Sequence, residues 1–190
     1  MGLLMHKLEE FGVKSNALKR VFWYFFLACI PAYFLSVLWI PIHLSIYMLV
    51  VISSIIQLVG WFIFLNTIKP YRKTLMSGIN RTGRILMLLA GVALTIKLFL
   101  QIGSTHPQLS QIAFGFRPIV IGYLHLVLLG MISIFILGYA FSQKVILSGK
   151  SAGIGLFIFV GGIIINEIAL MYQGVEAMEG ESINAIHKYL

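Results

Sequence analysis

The sequence contains few charged residues and a single cysteine. Charged residues make up 11% of the 190 residues, whereas hydrophobic residues make up 59%, and the mean hydropathy is +0.97. This composition excludes an ordinary soluble globular domain. Because Cys29 is the only cysteine, an intrachain disulfide and a CxxC metal site are also excluded.

Long hydrophobic runs fill most of the chain instead. Each is close to the roughly 20 residues that a helix needs to cross ~30 Å of hydrocarbon. We predict an all-α, polytopic transmembrane helical bundle, folded as a single transmembrane domain over residues 1–190. The five predicted spans are Val21–Ile40, Ile42–Leu65, Ile85–Leu100, Ile119–Phe141 and Ala152–Met171.

Two prolines lie at the first pair of spans. Pro31 falls inside the first span and predicts a kink, because proline removes a helical hydrogen bond. Pro41 fits the first turn of the second span, where its missing N–H costs nothing. The tight turn between the two spans predicts an antiparallel hairpin.

The net charge of +8 arises from short segments beside the hydrophobic runs. This placement indicates membrane topology rather than nucleic-acid binding. The N-terminal segment, the loop after the second span and the loop after the fourth span are basic, and all three fall on one side. On the other side, Arg117 is the only charged residue in the two loops, and the C-terminal tail is acidic. We therefore predict a cell inner-membrane protein with a cytoplasmic N terminus and an external C terminus.

The loop between the third and fourth predicted spans, residues 101–118, is too apolar for an ordinary solvated loop. We predict a short helix beginning near Pro107 in the outer interface, capped by Ser104 or Thr105. In the fifth span, Gly161 and Gly162 predict a close-packing or bending point.

Almost every strongly polar residue within or beside the spans falls in the outer leaflet under this topology. His43 opens the second span, and His125 lies roughly 9 Å inside the fourth. The other polar residues are Lys97, Asn166 and Glu167 near the outer ends of their spans, and His106 and Arg117 in the outer loop. Ionisable side chains within a membrane are costly and are therefore candidates for functional sites.

Helical spacing places some of these residues on common faces. One polar and aromatic stripe on the second span covers an arc of about 80° and consists of His43, Tyr47, Ser54, Gln57 and Trp61. On the fourth span, a second face consists of Gly122, His125, Leu129 and Ser133. Small residues beside an imidazole admit a neighbouring helix or a flat ligand, so we expect His125 to point inward.

A purely structural role is one interpretation of each polar residue. His43 could serve the helix start at the interface, and His125 could be a neutral histidine bonded to a neighbouring helix. Lys97 could extend its amine to the interface by snorkelling. Glu167 could pair with Lys97 or with a histidine.

Functional roles are the alternative to these structural roles. Imidazole nitrogens are ligands for haem iron and copper, so His125 and His43 are candidate metal ligands, with His106 and Arg117 as further cofactor-binding candidates. Lys97 or Arg117 could pair with haem propionates. Alternatively, a proton relay or polar cluster could consist of Glu167, His125, Asn166, Lys97 and Gln57.

The segment GYLHLVLLGMISIFILGY, with His125 five residues before a glycine, resembles membrane haem proteins related to haem-copper oxidase subunit I. It also resembles the nitric-oxide-response membrane proteins that bind haem and copper. WIPIHLSIYMLVVISSIIQLVGWFIF, with His43 at a helix start, is similar to a smaller degree. The resemblance covers the second to fourth spans and implies haem ligation by His125, with His43 as a second ligand, in electron transfer or gas sensing.

The chain departs from oxidase subunit I because it has far fewer spans and no adjacent pair of histidines. We therefore expect no oxygen reduction by this chain alone. The expected partners are the lipid bilayer and either a second copy of the chain or a second membrane subunit. A small transporter or channel subunit and a structural or assembly subunit are the other functions that the sequence leaves open.

Overall fold

The structure is a computed structural model that describes residues 15–38, 40, 42–77, 79–146 and 149–188. The chain is helical over these residues and forms no strand there. Its α-helices are α1 Ser15–Tyr33, α2 Leu44–Ile68, α3 Arg72–Ser77, α4 Arg81–Gly103, α5 Pro107–Gly115, α6 Arg117–His125, α7 Ile134–Ser142 and α8 Lys150–Lys188. Two short 3₁₀ turns are Phe34–Val37 and Lys69–Tyr71, and a π-helical segment, Leu126–Ser133, joins α6 to α7.

Four helical stretches among the described residues are long and apolar enough to cross a membrane. They are Leu44–Tyr71, Arg81–Gly103, Arg117–Ser142 and Lys150–Ala177, and they correspond to the second to fifth predicted spans. The first predicted span forms α1 and the 3₁₀ turn after it. Pro31 lies inside α1, three residues before the start of that turn, and the predicted kink there stays a prediction. The predicted position of Pro41 lies outside the described residues.

The helices pack mainly in chain order. Helix α1 lies against α2, α2 against α4, α4 against the π segment and α7, and α6 against α8. Short connections suffice for this order because consecutive helices are antiparallel neighbours. The outer surface is apolar, as a surface that faces lipid must be: Phe157 is 79% exposed and Ile30 is 71% exposed.

Glycines bring α4 and α7 into close contact. A Cβ on Gly138 would lie 3.0 Å from Leu86 Cβ and 3.2 Å from Met87 N, and a Cβ on Gly83 would lie 3.0 Å from the carbonyl oxygen of Gly138. Small residues at such crossings let helix backbones approach within van der Waals distance. The buried apolar cluster beside this contact consists of Leu86, Ala90, Ile134, Phe141 and Ile163.

The fourth span is not a uniform α-helix. In the π segment the Ser133 hydroxyl donates to the carbonyl of Leu128, five residues earlier, at 2.9 Å. Gly122 faces α8, whereas Gly130 faces Ala93 of α4. The prediction of one face from Gly122 to Ser133 assumes 3.6 residues per turn, whereas the π segment has a wider turn; that face stays a prediction.

Two smaller predictions also need correction. Helix α5 begins at Pro107 as predicted, but His106 occupies its N-cap position without a side-chain bond. The hydroxyls of Ser104 and Thr105 instead donate to carbonyls at the end of α4. A Cβ on either Gly161 or Gly162 would meet no described residue within 4 Å, so the described part of the chain shows no close packing at these glycines; a bending point there stays a prediction.

Candidate functional site

The polar stripe predicted on α2 forms the contact with α4. Ser54, Gln57 and Trp61 are buried. The indole nitrogen of Trp61 donates to the Thr95 hydroxyl at 3.0 Å, and the Tyr47 hydroxyl donates to the carbonyl of Thr105 at 3.2 Å. A polar stripe on an otherwise apolar helix thus meets its hydrogen-bond partners on the neighbouring helix, as buried polar groups require.

The centre of this contact is Gln101, which is 2% exposed. Its Nε2 donates to Gln57 Oε1 at 3.0 Å and to the Ser54 hydroxyl at 3.2 Å. Its Oε1 accepts a hydrogen bond from Lys97 Nζ. We call Ser54, Gln57, Lys97 and Gln101 the glutamine cluster.

The sequence predicts Gln101 in the outer loop, because the hydrophobic run ends at Leu100, but α4 continues to Gly103. The signal that could have placed it is its spacing from Lys97, since residues four apart share a helix face. Lys97 therefore bonds within the bundle, and it lies within electrostatic reach of Cys29 on α1.

A second polar cluster joins α6 to α8. The amide nitrogen of Asn166 lies 2.8 Å from Nδ1 of His125. An amide nitrogen can only donate, so in this arrangement Nδ1 accepts and Nε2 is the ring nitrogen that carries a proton. The structural alternative for His125 is a neutral histidine bonded to a neighbouring helix, and the bond to α8 is the part of it that the structure shows.

Glu167 lies beside this pair, within electrostatic reach of His125. Its Oε2 would be 3.7 Å from a Cβ on Gly122, so the carboxyl group lies against the glycine face of α6. Its Oε1 is buried and has no hydrogen-bond partner among the described residues. A buried polar atom without a partner is uncommon and calls for a physical explanation. We call His125, Asn166 and Glu167 the histidine cluster.

The two clusters lie at a similar level along the bundle. A Cβ on Gly130 would lie 3.6 Å from Ala93 Cβ. One helical turn from that contact, towards the end of α4, lie Lys97 on α4 and Leu126, next to His125, on the fourth span. Lys97 and Asn166 are each roughly 24 Å from the start of their own helices at 1.5 Å per residue. We call this level, with both clusters, the polar layer.

The other candidate residues are outside the polar layer. His43 occupies the N-cap position of α2, where its Nδ1 accepts from the backbone N–H of Ser45 at 3.4 Å. His106 and Arg117 are exposed at the starts of α5 and α6. No hydrogen bond within the described part of the chain joins any of these three to the layer, and the geometry gives His43 the structural role at the helix start.

The described residues include no group of three or more His, Cys, Asp or Glu side chains that could hold a metal ion. A histidine that binds a metal through one ring nitrogen normally donates a proton from the other. In His125 the Nδ1 accepts from Asn166 instead, so the residues as placed do not fit a haem ligated through Nε2. Haem and copper ligation by His125 or His43 stays a prediction.

No family model, curated protein or solved structure matches the chain. The resemblance to haem-copper oxidases therefore rests only on the two segments that contain His125 and His43.

Proposed function

We propose that the chain is a five-span inner-membrane protein, with a cytoplasmic N terminus and an external C terminus, that takes up and releases protons at Glu167 and His125. It would act as a small transporter or channel subunit. The observation that carries the proposal is the buried Oε1 of Glu167, which has no partner among the described residues and belongs to a carboxyl group within electrostatic reach of the His125 imidazole.

Carboxyl and imidazole groups are the side chains most often used to move protons near neutral pH. The unbonded Oε1 of Glu167 can hold a proton without first breaking a hydrogen bond. Because Nε2 of His125 already carries a proton, the ring can accept a second one only at Nδ1. That protonation breaks the bond from Asn166 and requires the amide to rotate, so that its oxygen accepts from Nδ1.

Proton uptake is thereby coupled to the contact between α6 and α8. The Asn166 side chain has two arrangements, one for each protonation state of His125, and a bistable contact of this kind is what converts a local charge change into movement of helices. Gly122 gives the Glu167 carboxyl room to approach α6, because a Cβ there would already be in van der Waals contact with it at 3.7 Å.

Under the proposed orientation, this site is nearer the outer surface. His125 is about 12 Å along its helix from Arg117, whereas Asn166 is about 24 Å along α8 from Lys150. The basic residues beside Arg81 and Lys150 mark the cytoplasmic side under the positive-inside rule. Protons would therefore reach the site over a shorter path from outside.

The proposal is tested with purified protein in liposomes that enclose a pH-sensitive dye, with a membrane potential set by potassium and valinomycin. We expect acid outside to produce faster internal acidification than in protein-free liposomes. Glu167→Gln should abolish the difference, and His125→Ala should reduce it by about tenfold or more, as for removal of a proton-transfer group.

The matched control is Glu176→Gln, which removes an exposed carboxylate from the same helix and should leave the rate unchanged. Acidification that is no faster than in protein-free liposomes, or that is unaffected by Glu167→Gln, would overturn the proposal.

A further inference from the structure

The fourth span changes from α-helix to π-helix directly after His125. The backbone N–H of Leu126 donates to the carbonyl of Gly122, four residues earlier. The backbone N–H of Ile134 donates instead to the carbonyl of Leu129, five residues earlier. Sharp bends in helices are found at π-helical turns, and such turns are frequent at functional sites. The π segment therefore favours a bend in the fourth span beside the histidine cluster.

The part of the fourth span after the π segment is fixed to α4. A Cβ on Gly138 would lie 3.0 Å from Leu86 Cβ, and a Cβ on Gly83 would lie 3.0 Å from the carbonyl oxygen of Gly138. Ile134 and Phe141 belong to the buried apolar cluster with Leu86. Elements packed this closely move as one body, because a relative shift would open voids or cause overlaps. We call α4 and α7 the α4–α7 unit.

The part of the fourth span before the π segment packs against α8 instead. A Cβ on Gly174 would lie 3.0 Å from Cγ1 of Ile119, and a Cβ on Gly122 would lie 3.7 Å from Leu170 Cβ. Each helix thus presents a glycine to the other, and the histidine cluster lies along the same contact. We call α6 and residues 164–177 of α8 the α6–α8 unit.

Helix α8 has a flexible point of its own next to the histidine cluster. Its residues Leu156, Val160 and Ile163 pack against the apolar core of the α4–α7 unit. Gly161 and Gly162 lie between the last two of these contacts, about one turn before the histidine cluster. Glycine in a helix interior leaves the backbone more conformational freedom than alanine does. Both helices that carry the histidine cluster can therefore bend where they leave the α4–α7 unit.

We propose that the π segment and the glycine pair at 161–162 are hinges about which the α6–α8 unit tilts against the α4–α7 unit. The inference rests on the proposed function for its trigger, which is protonation of the histidine cluster. Hinges are a few residues within or at the ends of helices that absorb the change in backbone angles while the packed parts stay rigid. Two helices with hinges at a similar level tilt together, whereas a stiff α8 would hold α6 in place.

The charged groups around His125 determine the direction of the tilt. From α8, Glu167 lies within electrostatic reach of the imidazole, and α6 itself carries Arg117 and Tyr123. Helix α5 and the π segment have no ionisable residue, and on α4 the ionisable side chain at this level is Lys97. A proton added to His125 is attracted by a Glu167 carboxylate and repelled by the Lys97 ammonium. Protonation therefore favours movement of α6 with α8, away from α4.

The tilt is measured by double electron–electron resonance between nitroxide labels on the full chain in liposomes, in a Cys29→Ala background. The test pair is Ile55→Cys/Leu124→Cys, which joins α2 to α6 across the π segment. The control pair is Ile55→Cys/Ile136→Cys, which joins α2 to α7. All three labelled side chains are exposed on the apolar surface, so the labels do not disturb the core.

Between about pH 8 and about pH 5, the range in which histidine titrates, we expect the test distance to lengthen by about 2–5 Å and the control distance to change by less than about 1 Å. A change in the test pair alone locates the hinge between α6 and α7. Equal changes in the two pairs, or no change in either, would overturn the proposal.

The hinge in α8 is tested with Gly161→Ala/Gly162→Ala in the test pair, which should reduce the change in distance by about half or more because alanine stiffens the helix. The matched control is Gly153→Ala/Gly155→Ala, a second glycine pair on α8 where a Cβ would also meet no described residue within 4 Å. The control should leave the change intact, and equal effects of the two pairs would contradict a hinge at 161–162.

The hinge and the proposed function fail in different ways. Internal acidification that depends on Glu167 while the test distance stays fixed would overturn the hinge and leave proton transfer in place. A test distance that lengthens in a chain without proton transfer would support the hinge and count against the proposed function alone.

Discussion

The amide nitrogen of Asn166 lies 2.8 Å from Nδ1 of His125, and this bond links α8 to α6 within the polar layer. It fixes the tautomer of the imidazole, because Nδ1 must accept. A single hydrogen bond thus links the tautomer of His125 to the contact between α6 and α8.

Replacement of Asn166 by Leu should remove the hydrogen bond that sets the tautomer of His125. In the native chain we expect histidine-labelled protein to show the Nε2-protonated tautomer of His125 in its ¹⁵N NMR spectrum. In Asn166→Leu the two tautomers should both be populated, since no donor faces Nδ1, and the chain should lose about 1–2 kcal/mol of stability. An Nδ1-protonated ring in the native protein would contradict the assignment.

Gln101 should be the most sensitive residue of the glutamine cluster. Gln101→Leu keeps the volume but leaves Gln57 and Lys97 without their partner at a buried position. We expect a loss of about 1–3 kcal/mol in the free energy of unfolding, measured by denaturation in mixed detergent micelles. The control is Gln111→Leu on α5, where the side chain is exposed and little change is expected; equal losses at the two positions would argue against the cluster.

Gly138→Ala should separate α4 from α7. The added Cβ would lie 3.2 Å from the backbone nitrogen of Met87, and backbone atoms cannot rotate away as a flexible side chain can. We expect a destabilisation of about 1–3 kcal/mol. Gly162→Ala is the matched control, because nothing lies within 4 Å of a Cβ there, and it should stabilise the helix by about 0.5–1 kcal/mol. Thermal unfolding of the two variants measures both effects.

The five-span orientation predicts which positions are accessible from outside the cell. In a Cys29→Ala background, Glu176→Cys should react with a membrane-impermeant maleimide in intact cells. Lys73→Cys, on the loop after the second span, should react only after the membrane is permeabilised. The reverse pattern would contradict the orientation, and reaction of both positions in intact cells would contradict the number of spans.

Haem binding is checked by the visible spectrum of the purified chain after haem supplementation. If the resemblance to haem-copper oxidases extends to ligation, a Soret band should appear and should disappear in His125→Ala. We include Asn166→Asp, because a carboxylate can accept a proton from Nδ1 and would favour ligation through Nε2. A spectrum without a Soret band in all three proteins would exclude haem ligation at His125.

Local signals were sufficient for the helices themselves. The hydrophobic runs predict the four helical stretches among the described residues that can cross a membrane. Pro107 correctly predicts the start of α5. The stripe from Tyr47 to Trp61 predicts the face of α2 that meets another helix. These predictions succeed because they depend on one helix at a time, and hydrophobicity, proline geometry and 3.6-residue spacing are properties of the local chain.

Other features depended on neighbours that the local chain does not identify. The hydrophobic run ends before Gln101, yet α4 continues through it, and Ser54 and Gln57 of α2 bond its amide. The sequence does not predict the π segment, within which Gly130 contacts Ala93 of α4. Gly161 and Gly162 have the residue type of a packing site, but no described residue lies within 4 Å of a Cβ there.

The sequence by itself determined that this is a helical chain suited to a membrane, and it predicts that the polar residues His125, Asn166 and Glu167 share one leaflet. Only the tertiary structure decided that Asn166 bonds His125 and that Glu167 retains an oxygen without a partner among the described residues. The physical reason is that hydrophobicity and helical period fix depth and face along each helix, whereas side-chain bonding depends on the register between helices distant in sequence.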